Sequence, residues 1–215
     1  MVVIAILAGL ILSIAGFAQK KAALSRASAE IQAISAACES YKADNGTYPH
    51  QLLAQSGTIP TTSGTAPSDI LYPTKTGASL YAAGSVYVNA SMELYEALTG
   101  DLYNDGFQTA AIAAGTRNYI ADMKPDVWGR SNPNAAVFKT NPVLYLSDPF
   151  GNCYGYSTAQ ATAIASGSST ATNGYNPTFD LWCTAGNTAS PYTATSGAQA
   201  SGSAGDPMLQ WVRNW

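Results

Sequence analysis

Charge is scarce in this chain: ten Lys and Arg and thirteen Asp and Glu make up 11% of its 215 residues. A soluble domain typically carries about 25%, so Ser, Thr, Asn and Gln must do most of the work of solvation. The net charge of −3 and a pI near 4.9 leave no basic footprint, which argues against a nucleic-acid partner. Histidine is rarer still, with His50 alone, just after Pro49. No Gly-x-Ser-x-Gly, His-Glu-x-x-His or phosphate-loop pattern occurs. No Cys-x-x-Cys pair or Cys/His cluster marks a zinc site. The expectation is a protein that is not an enzyme.

What is present is a charge-free start. Met1 to Ala18 (MVVIAILAGLILSIAGFA) contains one polar side chain, Ser13. About 18 apolar residues is near the lower limit for crossing a bilayer, at a rise of about 1.5 Å per residue. Removing even about 1,000 Å² of such surface from water is worth about 25 kcal/mol before association costs. The segment therefore needs lipid or the centre of an assembly around it. Val2, Val3, Ile4, Ile6, Leu7, Leu10, Ile11, Leu12, Ile14 and Phe17 are the candidate buried surface. Ala5, Ala8, Gly9, Ser13, Ala15 and Gly16 would let neighbouring helices approach closely. No basic residue precedes the run and the helical pattern continues beyond it, so it reads as retained rather than as a cleaved signal.

After Phe17 the pattern turns amphipathic. Leu24, Ala27, Ile31, Ile34, Cys38 and Tyr41 recur at steps of three and four, which is one face of a helix. Asn45–Gly46 is a stop signal and Pro49 follows it. One helix over about residues 2–44 is expected, with its stripe covered by a sheet. A short helix over Ser91–Thr99, strands near Val143–Leu146, Asn152–Ser157 and Thr178–Thr184, and an Asp148–Gly151 turn follow. Ala159–Asn173 and Gly186–Gly205 read as surface loops. Asp148 and Asp180 read as turn and strand-end residues. The fold class is α+β: residues 1–49 form the helix and residues 50–215 a head with a small antiparallel sheet and long loops.

Three cysteines are present. If the C-terminal third lies outside the cytoplasm, Cys153 and Cys183 are candidates for a disulfide, with Cys38 as a small buried hydrophobe. Asp101 and Asp105, with Asn104 between them, supply oxygen atoms suited to Ca²⁺, at a spacing unlike an EF-hand. Asn45 and Asn89 begin Asn-x-Ser/Thr sequons, and the Ser/Thr-rich loops are candidate glycan carriers.

The apolar start, Tyr41–Pro49 (YKADNGTYP), Asp148–Tyr154 (DPFGNCY), Phe179–Trp182 (FDLW) and the closing Gly205–Trp215 resemble, in this order, type IV pilins and the major pseudopilins of type II secretion. They cover about residues 1–49 and 143–215. Family members carry a basic leader and Phe-Thr-Leu-Ile-Glu ahead of the apolar run; the sequence here starts within the run, so the usual terminal glutamate has no counterpart in it. The resemblance implies a pilin-like fold and a subunit that polymerises with copies of itself, its leading helices bundled at the filament centre. It implies residence in the inner membrane before assembly and dependence on assembly machinery. The filament would then be a surface pilus or a periplasmic pseudopilus. It also implies a calcium loop before the C-terminus, for which Asp206 is the one acidic candidate. A membrane-anchored extracytoplasmic binding module that never polymerises is the rival of a different class.

Overall fold

The computed structural model describes residues 2–50, 86–101, 117–123, 127–130, 143–167, 174–186 and 211–215, without the side chains of residues 2–15, 86, 87, 130 and 144. Helix α1 runs from Val2 to Asn45. At 44 residues it is about 66 Å long. Its end is set as the sequence predicts. Gly46 takes a left-handed φ of 81°, and its N–H donates to the Lys42 carbonyl at 2.7 Å, satisfying one of the last orphan carbonyls.

The rest follows as α2 (Val86–Thr99), β1 (Trp128–Arg130), β2 (Val143–Leu146), β3 (Gly155–Ser157), α3 (Ala159–Ala165), β4 (Asp180–Cys183) and β5 (Val212–Arg213). Strands β1 and β2 form an antiparallel pair with a bulge between Gly129 and Arg130. Strands β3, β4 and β5 form a three-stranded antiparallel sheet with β4 central. A bridge between Ser147 and Cys153 and a hydrogen bond from Tyr154 N–H to the Leu146 carbonyl at 2.8 Å tie the two sheets across the Asp148–Gly151 turn. The α+β class is therefore as read, with a helix packed on small antiparallel sheets.

Ala27, Ile31, Ile34 and Cys38 are buried and Tyr41 is half-buried, so the expected stripe of α1 is the packed one. Opposite it lie Leu94, Tyr95 and Leu98 of α2, Val143 and Leu146 of β2, and Tyr154, Tyr156, Phe179, Leu181 and Cys183. Each fully buried aliphatic chain contributes about 1.5–3 kcal/mol relative to exposure. The closing residues dock as expected: Trp211 is buried and β5 pairs with β4. The Asn214 side chain prolongs that pairing. Its Oδ1 accepts from Leu181 N–H at 2.9 Å, and its Nδ2 donates to the Phe179 carbonyl at 3.1 Å.

Two expectations are corrected. Ala159–Ala165 is a helix rather than a loop, because its alanines and glutamine are good helix formers despite the low complexity. Helix α2 begins at Val86, five residues before the expected start.

Candidate functional site

The candidate assembly segment sits on α1. From Gly16 to Ala22 every residue of the helix is exposed, Phe17 at 71%, and contact with the head begins around Leu24 and Ala27. The helix thus runs past the edge of the head without a break. Of the apolar candidates, only Phe17 has a described side chain; Val2, Val3, Ile4, Ile6, Leu7, Leu10, Ile11, Leu12 and Ile14 lie outside the described side chains. Among the described residues no helix is long and apolar enough to cross a membrane.

Below that segment a polar seam fixes α1 to the sheets. Glu30, which pairs with Arg26 one turn earlier, accepts the Tyr154 hydroxyl at 2.5 Å. Burial, then this hydrogen bond, push the Tyr154 phenol well above its ordinary range, so it stays a neutral donor. Sequence reasoning missed this seam. Glu30 flanks the buried stripe of α1, and nothing local pairs it with a tyrosine 124 positions away.

Asp148 organises the DPFGN turn. Its Oδ1 accepts the backbone N–H groups of Phe150 and Asn152, both at 2.9 Å, and its Oδ2 accepts the Cys183 thiol at 3.0 Å. Burial raises the carboxyl above the usual range, against the opposing pull of those bonds. Asp180 does similar work at the foot of β4, taking the N–H groups of Tyr175 and Asn176 at 2.9 and 2.8 Å. Both aspartates serve turns, as their surroundings in the sequence suggest.

The Cys153–Cys183 bond expected from the sequence is not formed. All three cysteines are free and buried. The β3–β4 ladder ends at Gly155↔Trp182, and ahead of it Tyr154 N–H bonds to the Leu146 carbonyl. Cys153 is bridged to Ser147 instead, and the Cys183 thiol donates to Asp148 Oδ2 at 3.0 Å. Burial raises all three thiols, with the Asp148 carboxylate adding to the effect at Cys153 and Cys183. They are protonated and poorly nucleophilic at neutral pH.

For Ca²⁺, Asp101 is committed elsewhere: its buried Oδ2 accepts the Tyr95 hydroxyl at 2.7 Å. Asp105 and Asp206 lie outside the described residues. Among the described residues, no group of three or more His, Cys, Asp and Glu side chains is placed to hold a metal. Asn89 is buried within α2, so its sequon is closed to a glycan in the folded chain.

The separate motifs of the sequence meet in space. Tyr48 of DNGTYP packs on Phe179 of FDLW, with ring centroids 5.0 Å apart. The Tyr156 hydroxyl donates to the Pro49 carbonyl at 2.6 Å. Comparison of the chain with protein-family models, curated proteins and solved structures found no match.

Proposed function

We propose that this chain is the structural subunit of a type IV pilus-like filament, with a pilin-like fold, that polymerises through the apolar first half of α1. The observation that carries the reading is the convergence of its motifs. Helix α1, the DNGTYP loop, the DPFGN turn, FDLW and the closing strand are dispersed along the sequence, yet Tyr48, Pro49, Tyr156, Phe179, Asp148 and Asn214 join them in one body. A continuous helix leaving that body with an uncharged leading segment supports the same reading. A head fixed to one end of the rod lets the other end pack against like rods while the heads face outwards. In this reading the subunit waits in the inner membrane, the assembly machinery extracts it, and lipid contacts are exchanged for helix–helix contacts. Its role is structural and not enzymatic. A major pseudopilin of type II secretion shares this architecture and differs in the machine it serves.

Electron microscopy of the full chain expressed with its native assembly genes tests the proposal. Regular filaments a few nanometres wide, containing this chain, are expected. Removing residues 1–18 should abolish them and leave a soluble monomer by size-exclusion chromatography with light scattering. Dispersed monomers from the full chain would instead favour a membrane-anchored module that does not polymerise.

A further inference from the structure

A cleft of about 300 Å³ lies where the end of α1 meets α3 and the approach to β4. Its polar wall comes from Lys42, Thr47, His50, Thr158, Thr162 and Thr178, far apart in sequence. Its size is at the lower end of ordinary ligand pockets, about 300–1,000 Å³. The wall contains no carboxylate and no carboxamide among the described residues. It has one ammonium, one imidazole and several hydroxyls, so it is rich in donors and holds a single fixed positive charge.

The Lys42 ammonium is prepared rather than neutralised. Its Nζ donates to the Tyr48 hydroxyl at 3.1 Å and stands 4.3 Å from the centre of that ring. The Tyr48 hydroxyl donates its own hydrogen bond to Glu39, 3.1 and 3.2 Å from the two carboxylate oxygens. The charge of Glu39 thus reaches Lys42 through an intervening hydroxyl. Among the described residues the Tyr48 hydroxyl engages one of the three ammonium donors, and the other two have no acceptor. Tyr48 is itself pinned by Phe179, which fixes where the ammonium sits.

We propose that this cleft binds a small soluble phosphate-bearing molecule, with Lys42 supplying the charge and His50 and the threonine hydroxyls supplying further hydrogen bonds. A polyhydroxylated neutral ligand could use the threonine hydroxyls, which both donate and accept, but it would bring no negative charge to the Lys42 ammonium. A lipid headgroup of the membrane that holds residues 2–18 is out of reach, because the helix between Ala18 and Lys42 is about 36 Å long. Apart from that exclusion, the proposal is independent of filament formation.

The single histidine makes the test direct. In the full chain in maltoside micelles, inorganic phosphate is titrated at constant ionic strength, with chloride as the replacement anion, while the His50 imidazole Cε1–H resonance is followed. One buffered pH is held throughout the titration, so that added phosphate does not act through a change in pH. A saturable shift is expected. Lys42→Met should weaken half-saturation about tenfold or more. Thr162→Val, at an exposed position, keeps the fold and should weaken it about threefold. Lys21→Met, remote on α1, should leave it unchanged. A shift that is absent, no greater than with chloride, or indifferent to both cleft variants overturns the proposal. A response to phosphatidylglycerol added to the micelles without a response to phosphate overturns the soluble source.

Discussion

From Val88 to Asp101 every residue of α2 and its closing turn is buried, whereas between Gly16 and Asn45 helix α1 buries one stripe and leaves the opposite side in water. Helix α1 is a rod laid along the rim, and its burial pattern is the pattern of its own side chains. Helix α2 is enclosed, and that enclosure extends to Asn89, Glu93 and Glu96, which form a polar side at helical spacing. Burial at α1 is dictated by the helix; burial at α2 is imposed by what surrounds it. The same substitution should therefore have very different effects on the two.

Lysine in place of a small buried residue gives the widest separation. Ala97→Lys puts a charge on the enclosed helix, where Ala97 is 6% exposed, and should cost about 3–5 kcal/mol through an uncompensated buried ammonium. Ala36→Lys, on the exposed side of α1, should change stability by no more than about 0.5 kcal/mol. Urea unfolding midpoints of the two variants measure the contrast. Equal losses would show that the free side of α1 is covered in solution.

A methyl group tests the same division on glycines. A Cβ on Gly155 would stand 2.1 Å from the Trp182 indole, and Trp182 is held between Trp211 and Trp215. Gly155→Ala should cost about 1–3 kcal/mol through overpacking, with a red shift of tryptophan emission. Gly16→Ala meets nothing within 4 Å. It should strengthen the local helix by about 1 kcal/mol, read as slower amide exchange around residue 16.

The same difference explains what the sequence made readable. The α1 stripe and the Asn45–Gly46 stop were legible because periodicity and a left-handed glycine are local signals. The Asp148 and Asp180 turns were legible for the same reason, since each carboxylate caps N–H groups within five positions of itself. The enclosure of Glu93 and Glu96 was not, since it depends on distant neighbours. Strand β1 is three residues long, too short to show alternation. Of the candidate assembly site, the apolar run was plain in the sequence, but Glu30–Tyr154 and the Lys42–His50 cleft arise only when distant segments meet. The thiols were read from chain spacing, while strand register decides which side chains face one another.

Asp148 carries the comparison into pH. Burial raises the Asp148 carboxyl, against hydrogen bonds from Cys183, Asn152 and Phe150, with Glu30 adding a smaller upward push. A raised carboxyl binds its proton more tightly in the folded than in the unfolded chain. Its contribution to stability is therefore fullest below the unfolded value of about 3.9 and is lost as pH rises through the raised folded value. Asp148→Asn keeps an oxygen for the Phe150 and Asn152 amides and removes the titration. The stability of the parent minus that of the variant, from urea midpoints across the acid range, should fall with rising pH. A difference that rises with pH would contradict the burial argument.

The smallest effect belongs to the rim. Arg117 Nη1 lies 3.0 Å from Asp44 Oδ2, with side chains 65% and 43% exposed, and Tyr119 donates to the same oxygen at 2.9 Å. In water such a pair gains little from Coulomb attraction and orders two side chains to do so. Arg117→Ala should cost about 0.2–1 kcal/mol, and salt should screen most of that cost. Tyr119 holds Asp44 without the arginine, and its backbone N–H remains tied to the Leu98 carbonyl at 2.8 Å. The segment thus stays anchored to both helices when the arginine is removed. A loss well above that range, insensitive to salt, would mean that the end of α1 depends on this contact and is not seated by its apolar stripe.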